Sequence, residues 1–127
     1  MSKARLKSES LESLVVARDQ LVLVVGPDHP WGEARSLKPA DLLQGEWVLR
    51  EVGSGTRSAF EQALRRLGVR PEELRIAIEL PSNEAVRAAV EAGLGATATS
   101  ASVAASSLEA GLLRQARFKL PDASFMS

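Results

Sequence analysis

The stretch Glu51-Val52-Gly53-Ser54-Gly55-Thr56-Arg57 decides how the rest of the chain is read. Before it, Glu46-Trp47-Val48-Leu49-Arg50 has the composition of a short strand, and after it Phe60, Ala63, Leu64 and Leu67 recur at the i, i+3, i+4, i+7 spacing of a helix. Glycines therefore sit at a strand-to-helix turn. Glycine admits positive φ and lets a ligand approach the backbone, while Ser54 or Thr56 can cap a helix whose first amides point outward unpaired. Free N–H groups, hydroxyls and the positive end of a helix dipole together make an anion site in outline, with Arg57 beside it. The same residues are also ordinary capping chemistry. The turn lacks the Gly-Lys-Ser/Thr ending of a P-loop and the three-glycine dinucleotide fingerprint.

At 127 residues the chain supports one modest core and one domain. Sixteen basic residues balance sixteen acidic ones, so no overall basic surface points to nucleic acid. The absence of cysteine removes disulfides, thiolate metal sites and cysteine nucleophiles together. The single histidine, His29, lies in the turn composition Gly26-Pro27-Asp28-His29-Pro30, which argues against metal catalysis, so no cofactor and no metal are expected. Met1 to Glu12 has no apolar core of the kind an export signal needs. No apolar run approaches the roughly 20 residues that cross a bilayer. The expectation is a soluble, cytoplasmic protein without a membrane partner.

Along the chain, residues 1–13 read as a leader and 122–127 as a tail around a domain at 14–121. Ser13–Ala17 is a short β-prone run, and Gln20–Gly26 is a continuous apolar strand of the kind buried on both faces. Trp31–Lys38 is a loop, and Pro39–Leu43 is a single helical turn opened by proline. The helix from about Thr56 to Leu67 stops at Gly68, and Arg75–Leu80 alternates as a strand. Ser82 or Asn83 caps a helix that carries Val86, Ala89, Val90 and Leu94 on its core face and ends at Gly93. Leu94–Thr99 is a short strand, Ser100 or Ser102 caps a weak helix through Leu108, and Leu112–Leu120 is a final strand segment. This alternation calls for an α/β fold: three layers, with a mainly parallel sheet flanked by helices.

Five segments in this order carry a resemblance. They are Leu21–Pro30, Leu37–Leu42, Gly53–Arg57, Ser82–Val86 and Val90–Gly95, and together they resemble the effector-binding region of LysR-type transcriptional regulators over residues 14 to 121. The resemblance implies a fold like the type 2 periplasmic binding proteins, represented here by one subdomain plus crossover strands. The family's DNA-binding helix-turn-helix has no match in this chain. By match to the family's Gly-Ser-Gly-Thr turn, Ser54, Gly55 and Thr56 are expected to contact an effector, with Ser82 and Asn83 at the next helix start. Arg57 has two roles open to it, serving an anion or pairing with Glu61 at i+4.

The function implied is a sensing module for a small anionic or carboxylate effector, without covalent chemistry, in a protein that self-associates as a homodimer. DNA would be reached only through a helix-turn-helix domain outside this chain. Competing readings are a truncated dimerisation fragment of such a regulator and a fragment of a solute-binding protein, which would need an export signal. Catalysis by Ser54 is disfavoured, because Gly53-Ser54-Gly55 lacks the spacing of a nucleophile elbow and the only histidine lies in another turn.

Overall fold

A computed structural model describes residues 20–121. The leader, the β-prone run at Ser13–Ala17 and the tail lie outside the described residues. Five strands, β1 Leu21–Val25, β2 Glu46–Arg50, β3 Arg75–Leu80, β4 Thr97–Ser100 and β5 Arg114–Gln115, alternate with three α-helices after β2: α1 Gly55–Arg66, α2 Asn83–Glu91 and α3 Ala101–Glu109. Short 3-10 turns at Pro30–Gly32, Pro39–Leu43 and Pro71–Glu73 fill the connections. Each turn opens on proline, whose missing N–H costs nothing at a helical start.

The pairing gives a lateral order β3-β2-β4-β1-β5. β3 lies parallel to β2 with Glu46 opposite Arg75, and β2 meets the start of β4 through a parallel bridge between Trp47 and Ala96. β1 is antiparallel to both β4 and β5. β2, β3, β4 and β5 therefore share one direction and β1 alone opposes it. Four of the five strands thus run one way, as expected, although the part β4-β1-β5 is paired antiparallel throughout. The exception follows from connection length: β1 reaches β2 through 3-10 turns and loop, without the helix that a parallel crossover uses.

Period-2 alternation sends successive side chains to opposite faces. Leu23, Val25, Trp47, Leu49 and Ala98 join Phe60, Ala63 and Leu64 of α1 in one core. Val22, Val24 and Val48 join Val86 and Val90 of α2 and Ala104 of α3 in the other. The result is three layers, with α1 on one face and α2 and α3 on the other. Within the first core Trp47 is fully buried, donates Nε1–H to the Leu42 carbonyl at 2.8 Å and sits between the rings of Trp31 and Phe60, with centroids 5.7 and 4.9 Å away.

Two expectations are corrected. Leu94 does not join the core but stands 51% exposed. Gly93, at φ +90°, ends α2 in a Schellman turn in which the Leu94 amide donates to the Ala89 carbonyl at 3.0 Å, turning the Leu94 side chain outward. The long final strand is reduced to Arg114–Gln115, with one further bond from the Ala116 amide to the Leu23 carbonyl. Its buried residues, Leu113, Ala116 and Leu120, are three and four apart, a spacing no strand can turn to one face. β3 alternates in sequence yet buries neither face, because it is the sheet edge; Ile76 and Ile78 remain 37% and 39% exposed.

Gly95 is required by close approach. A Cβ there would lie 2.7 Å from the Glu46 carbonyl oxygen, which itself accepts from the Ala96 amide at 2.9 Å. Gly95→Ala is expected to destabilise the fold by about 1–3 kcal/mol through overpacking. Gly55→Ala, where nothing lies within 4 Å, should be neutral or slightly stabilising. Urea unfolding of both variants checks the contrast, and equal losses would refute the stated cause.

His29 adds a pH dependence. Its Nδ1 accepts from the Trp31 amide at 3.1 Å, and burial lowers its pKa below the ordinary 6.5. The unfolded chain therefore binds the proton first. Stability should be full above 6.5 and fall as pH drops from there toward the folded value. His29→Asn, which keeps a cap acceptor, should remove this component from melting curves recorded between about pH 8 and 5.

Candidate functional site

The helix N-termini gather at one edge of the sheet, because each α-helix follows the carboxyl end of a parallel strand. Each start is capped by serine. Ser54 Oγ accepts from the Arg57 amide at 3.0 Å, Ser82 Oγ from Ala85 at 3.1 Å and Ser100 Oγ from Val103 at 3.2 Å. The caps satisfy the third amide of each helix and leave the first two without intrahelical partners. In α1 these are the amides of Gly55 and Thr56.

A cleft opens where these starts meet β4 and the ends of β1 and β2. Its apolar lining includes Leu49, Phe60, Val86, Val103 and Leu113. Its polar lining includes Thr56, Asn83, Thr97 and Thr99. The enclosed part measures about 20 Å³, room for roughly one water, within about 450 Å³ of space shared with open solvent. It is a lipped surface, not a closed chamber.

Of the residues singled out from sequence, Thr56, Arg57 and Asn83 line the cleft, whereas Ser54, Gly55 and Ser82 do not. Ser54 is 9% exposed and its oxygen is engaged in capping. Gly55 and Ser82 are exposed at the helix starts. Sequence reasoning missed Thr97, Thr99, Arg50 and Arg87. The i, i+2 spacing of the two threonines, which sets them on one strand face, was the available signal.

Both roles left open for Arg57 can be compared with its surroundings. The side chain is 8% exposed. Its Nε donates to Glu61 Oε2 at 3.2 Å, and its Nη1 donates to the Arg50 carbonyl at 2.9 Å and to Glu79. One guanidinium thus ties α1 to the last residue of β2 and to β3. Burial works against its charge, but hydrogen bonds and Coulombic attraction from Glu79 and Glu61 prevail and raise its pKa above the ordinary value. Pairing with Glu61 occupies it. Arg50 donates Nε to Glu51 and Nη1 to Asn83 Oδ1, both at 2.8 Å, linking β2 to the start of α2.

Nothing in the arrangement resembles a catalytic dyad. Ser54 Oγ has a backbone amide as its partner, and His29 Nδ1 has another. Among the described residues no cluster of three acidic or histidine side chains could hold a metal, and no helix is long and apolar enough to cross a membrane.

With this geometry in place, comparison with known proteins gives a consistent result. Residues 2–126 match the LysR substrate binding domain family. An uncharacterised HTH-type transcriptional regulator of Methanocaldococcus jannaschii is 38% identical over 109 residues, covering 86% of this chain and 37% of that protein. One of Mycobacterium bovis is 44% identical over 105 residues, covering 81% and 34%. The chain spans about a third of the length of these relatives. Among solved structures, the Synechocystis PCC6803 CcmR regulatory domain in complex with 2-PG superposes with a TM-score of 0.69 at 29% identity, covering 79% of this chain and 47% of that one. The effector binding domain of QuiR in complex with shikimate gives 0.66 at 18%, a likeness of fold, over 82% and 47%.

Replacing Arg57 by Ala removes the tie between α1, β2 and β3 and leaves the Arg50 carbonyl unmatched. A loss of about 1–3 kcal/mol is expected, with Arg57→Lys intermediate because it keeps charge but not the fork. Equilibrium urea unfolding measures both; a cost within about 0.5 kcal/mol for Ala, the range of ordinary surface changes, would contradict a buried role.

Proposed function

The chain belongs to the LysR substrate binding domain family, and from that membership we propose that it is the effector-sensing module of a LysR-type transcriptional regulator, binding a small anionic or carboxylate molecule at helix N-termini. The family is regulatory and non-enzymatic. The observation that carries the reading is convergence: Thr56 at the start of α1, Asn83 at the start of α2 and Thr97 and Thr99 of β4 line one cleft. Ligands of α/β sheets of this kind bind beyond the carboxyl ends of the strands. Two unpaired amides and a positive helix end favour an anion there. The 2-PG complex of CcmR, at 29% identity, supports a small-molecule ligand for this chain as well.

The direct contacts in this reading come from Thr56 and Asn83, with the Gly55 amide at the helix start. Ser54, Arg57 and Ser82 support them, two as caps and one as a tie. The module spans the 14–121 domain, works in the cytoplasm and self-associates as a homodimer. Supporting association, β3 has no second strand partner among the described residues, with Ile76 and Ile78 half-exposed, and Leu94 stands out beside α2. Among the described residues no two α-helices are consecutive, so none forms a helix-turn-helix. Contact with DNA would come from elsewhere in the regulator.

A thermal-shift screen of the purified chain against 2-PG and small carboxylates tests the proposal. A ligand at 100 times its Kd stabilises by about 2.7 kcal/mol, a rise on the order of 10 °C for a domain of this size. Thr56→Val and Thr99→Val should cut the affinity about tenfold each, the effect of one lost hydrogen bond to a charged group. No shift with any of these compounds, in a chain that melts cooperatively, would defeat the reading.

A further inference from the structure

We propose that His29 is a proton-operated switch with two resting places in the folded chain. Neutral, its ring caps the Pro30–Gly32 turn by accepting from the Trp31 amide. Protonated, it turns to the carboxylate at the end of α2 and releases a relay of aromatic rings that runs to α1. The switch is independent of what the cleft binds. His29 is the only histidine in the chain, and its Nδ1 accepts from the Trp31 N–H at 3.1 Å. An imidazole nitrogen accepts only while it carries no proton, and in the imidazolium both nitrogens are donors. Protonation therefore sets donor against donor at the cap and leaves the Trp31 amide without its partner. Burial lowers the pKa of His29 below the ordinary 6.5, so the cap stands at neutral pH and fails on acidification.

The protonated ring has a second place to go. His29 borders a depression of about 270 Å³ together with Asp28 of its own turn and Glu91, Ala92 and Gly93 at the end of α2. The carboxyl end of a helix carries negative partial charge, and two carboxylates stand beside it. Glu91 is fixed there, because its Oε2 accepts from Ser107 Oγ at 2.7 Å. The other charged groups at this corner offset each other: Arg114 lies against Gly32 and pairs with Glu33 at 3.7 Å. What the ring leaves behind is a continuous stack. The His29 ring centroid lies 5.1 Å from that of Trp31, Trp31 lies 5.7 Å from Trp47, and Trp47 lies 4.9 Å from Phe60 of α1. Trp31 is anchored at the turn through its capped amide, so loss of the cap reaches the core through close-packed rings.

Titration of the purified chain from about pH 8 to 4.5, across the range in which histidine takes up its proton, tests the switch. Proton uptake is read from the NMR signals of the single histidine, the relay from the emission of Trp31 and Trp47, and the fold from far-UV circular dichroism. Ring protonation and the emission change should share one midpoint below 6.5 while the dichroism holds steady. His29→Asn, which keeps a cap acceptor, should abolish the emission change. Trp31→Phe should keep a change from Trp47. Glu91→Gln should lower the midpoint by about half a pH unit, the weight of an exposed ion pair. Ring protonation without an emission change would overturn the switch, and so would an emission change that appears only as the dichroism is lost. A silent Trp47 in Trp31→Phe would overturn the relay, and an unmoved midpoint in Glu91→Gln would overturn the second resting place.

Discussion

The parallel pairing of β2 with Gly95 and Ala96 is the joint on which the rest of the structure depends. The Val48 amide donates to the Ala96 carbonyl at 2.8 Å and the Ala96 amide donates to the Glu46 carbonyl at 2.9 Å. Without these bonds β2 and β3 would form one sheet and β4, β1 and β5 another, since no other strand pairing connects them among the described residues. Only a glycine fits, because the approach brings position 95 against backbone that cannot move aside. The joint also fixes where helices begin: α1 leaves β2, α2 leaves β3 and α3 leaves β4, all toward the same edge.

Side-chain ties then hold that edge in register. Arg57 fastens α1 to β2 and β3, Arg50 fastens β2 to the start of α2, and Glu91 with Ser107 fastens α2 to α3. Each tie is worth on the order of 1–3 kcal/mol where a charge is involved, less than the burial of Trp47 or Phe60, whose removal costs about 3–5. The cores therefore give the module its stability, and the polar ties give its helix starts their relative positions. That division suits a binding edge, which needs placement more than it needs strength.

Much of this was legible in the sequence because the signals are local. The glycine turn at 53–55, serine caps, glycine stops at 68 and 93 and the alternation of Arg75–Leu80 are decided within a few residues, and the observed elements follow them closely. Five linked segments, read as a resemblance, supplied the fold family. What escaped depends on distant partners. The exposure of both faces of β3 follows from its place at the sheet edge, and the outward turn of Leu94 from the geometry of the helix stop. The loss of most of the last strand reflects burial at three- and four-residue spacing. The cleft was partly visible for the same reason: Thr56 and Asn83 sit at helix starts, but Thr97, Thr99 and Arg87 line it only because other elements bring them together.

The narrowness of the cleft constrains how it can signal. With room for about one water in its enclosed part, it cannot swallow an organic ligand without moving one of its borders. The borders are the starts of α1 and α2 and the flank of α3, held by Arg57, by Arg50 with Asn83 and by Glu91 with Ser107 in turn. The start of α2 rests on the exposed bond between Arg50 and Asn83 at 2.8 Å, whereas Arg87 and Glu91, 3.7 Å apart, both belong to α2 and restrain no border. A ligand that widens the cleft would thus act on that single exposed bond before it strains the several bonds of buried Arg57. Glu91 would keep Ser107, so the far end of α2 would stay anchored to α3. A ligand shifts a conformational equilibrium only through unequal affinity for two states. Here the inequality would arise at the start of α2, held to β2 by Arg50 in one state and released in the other.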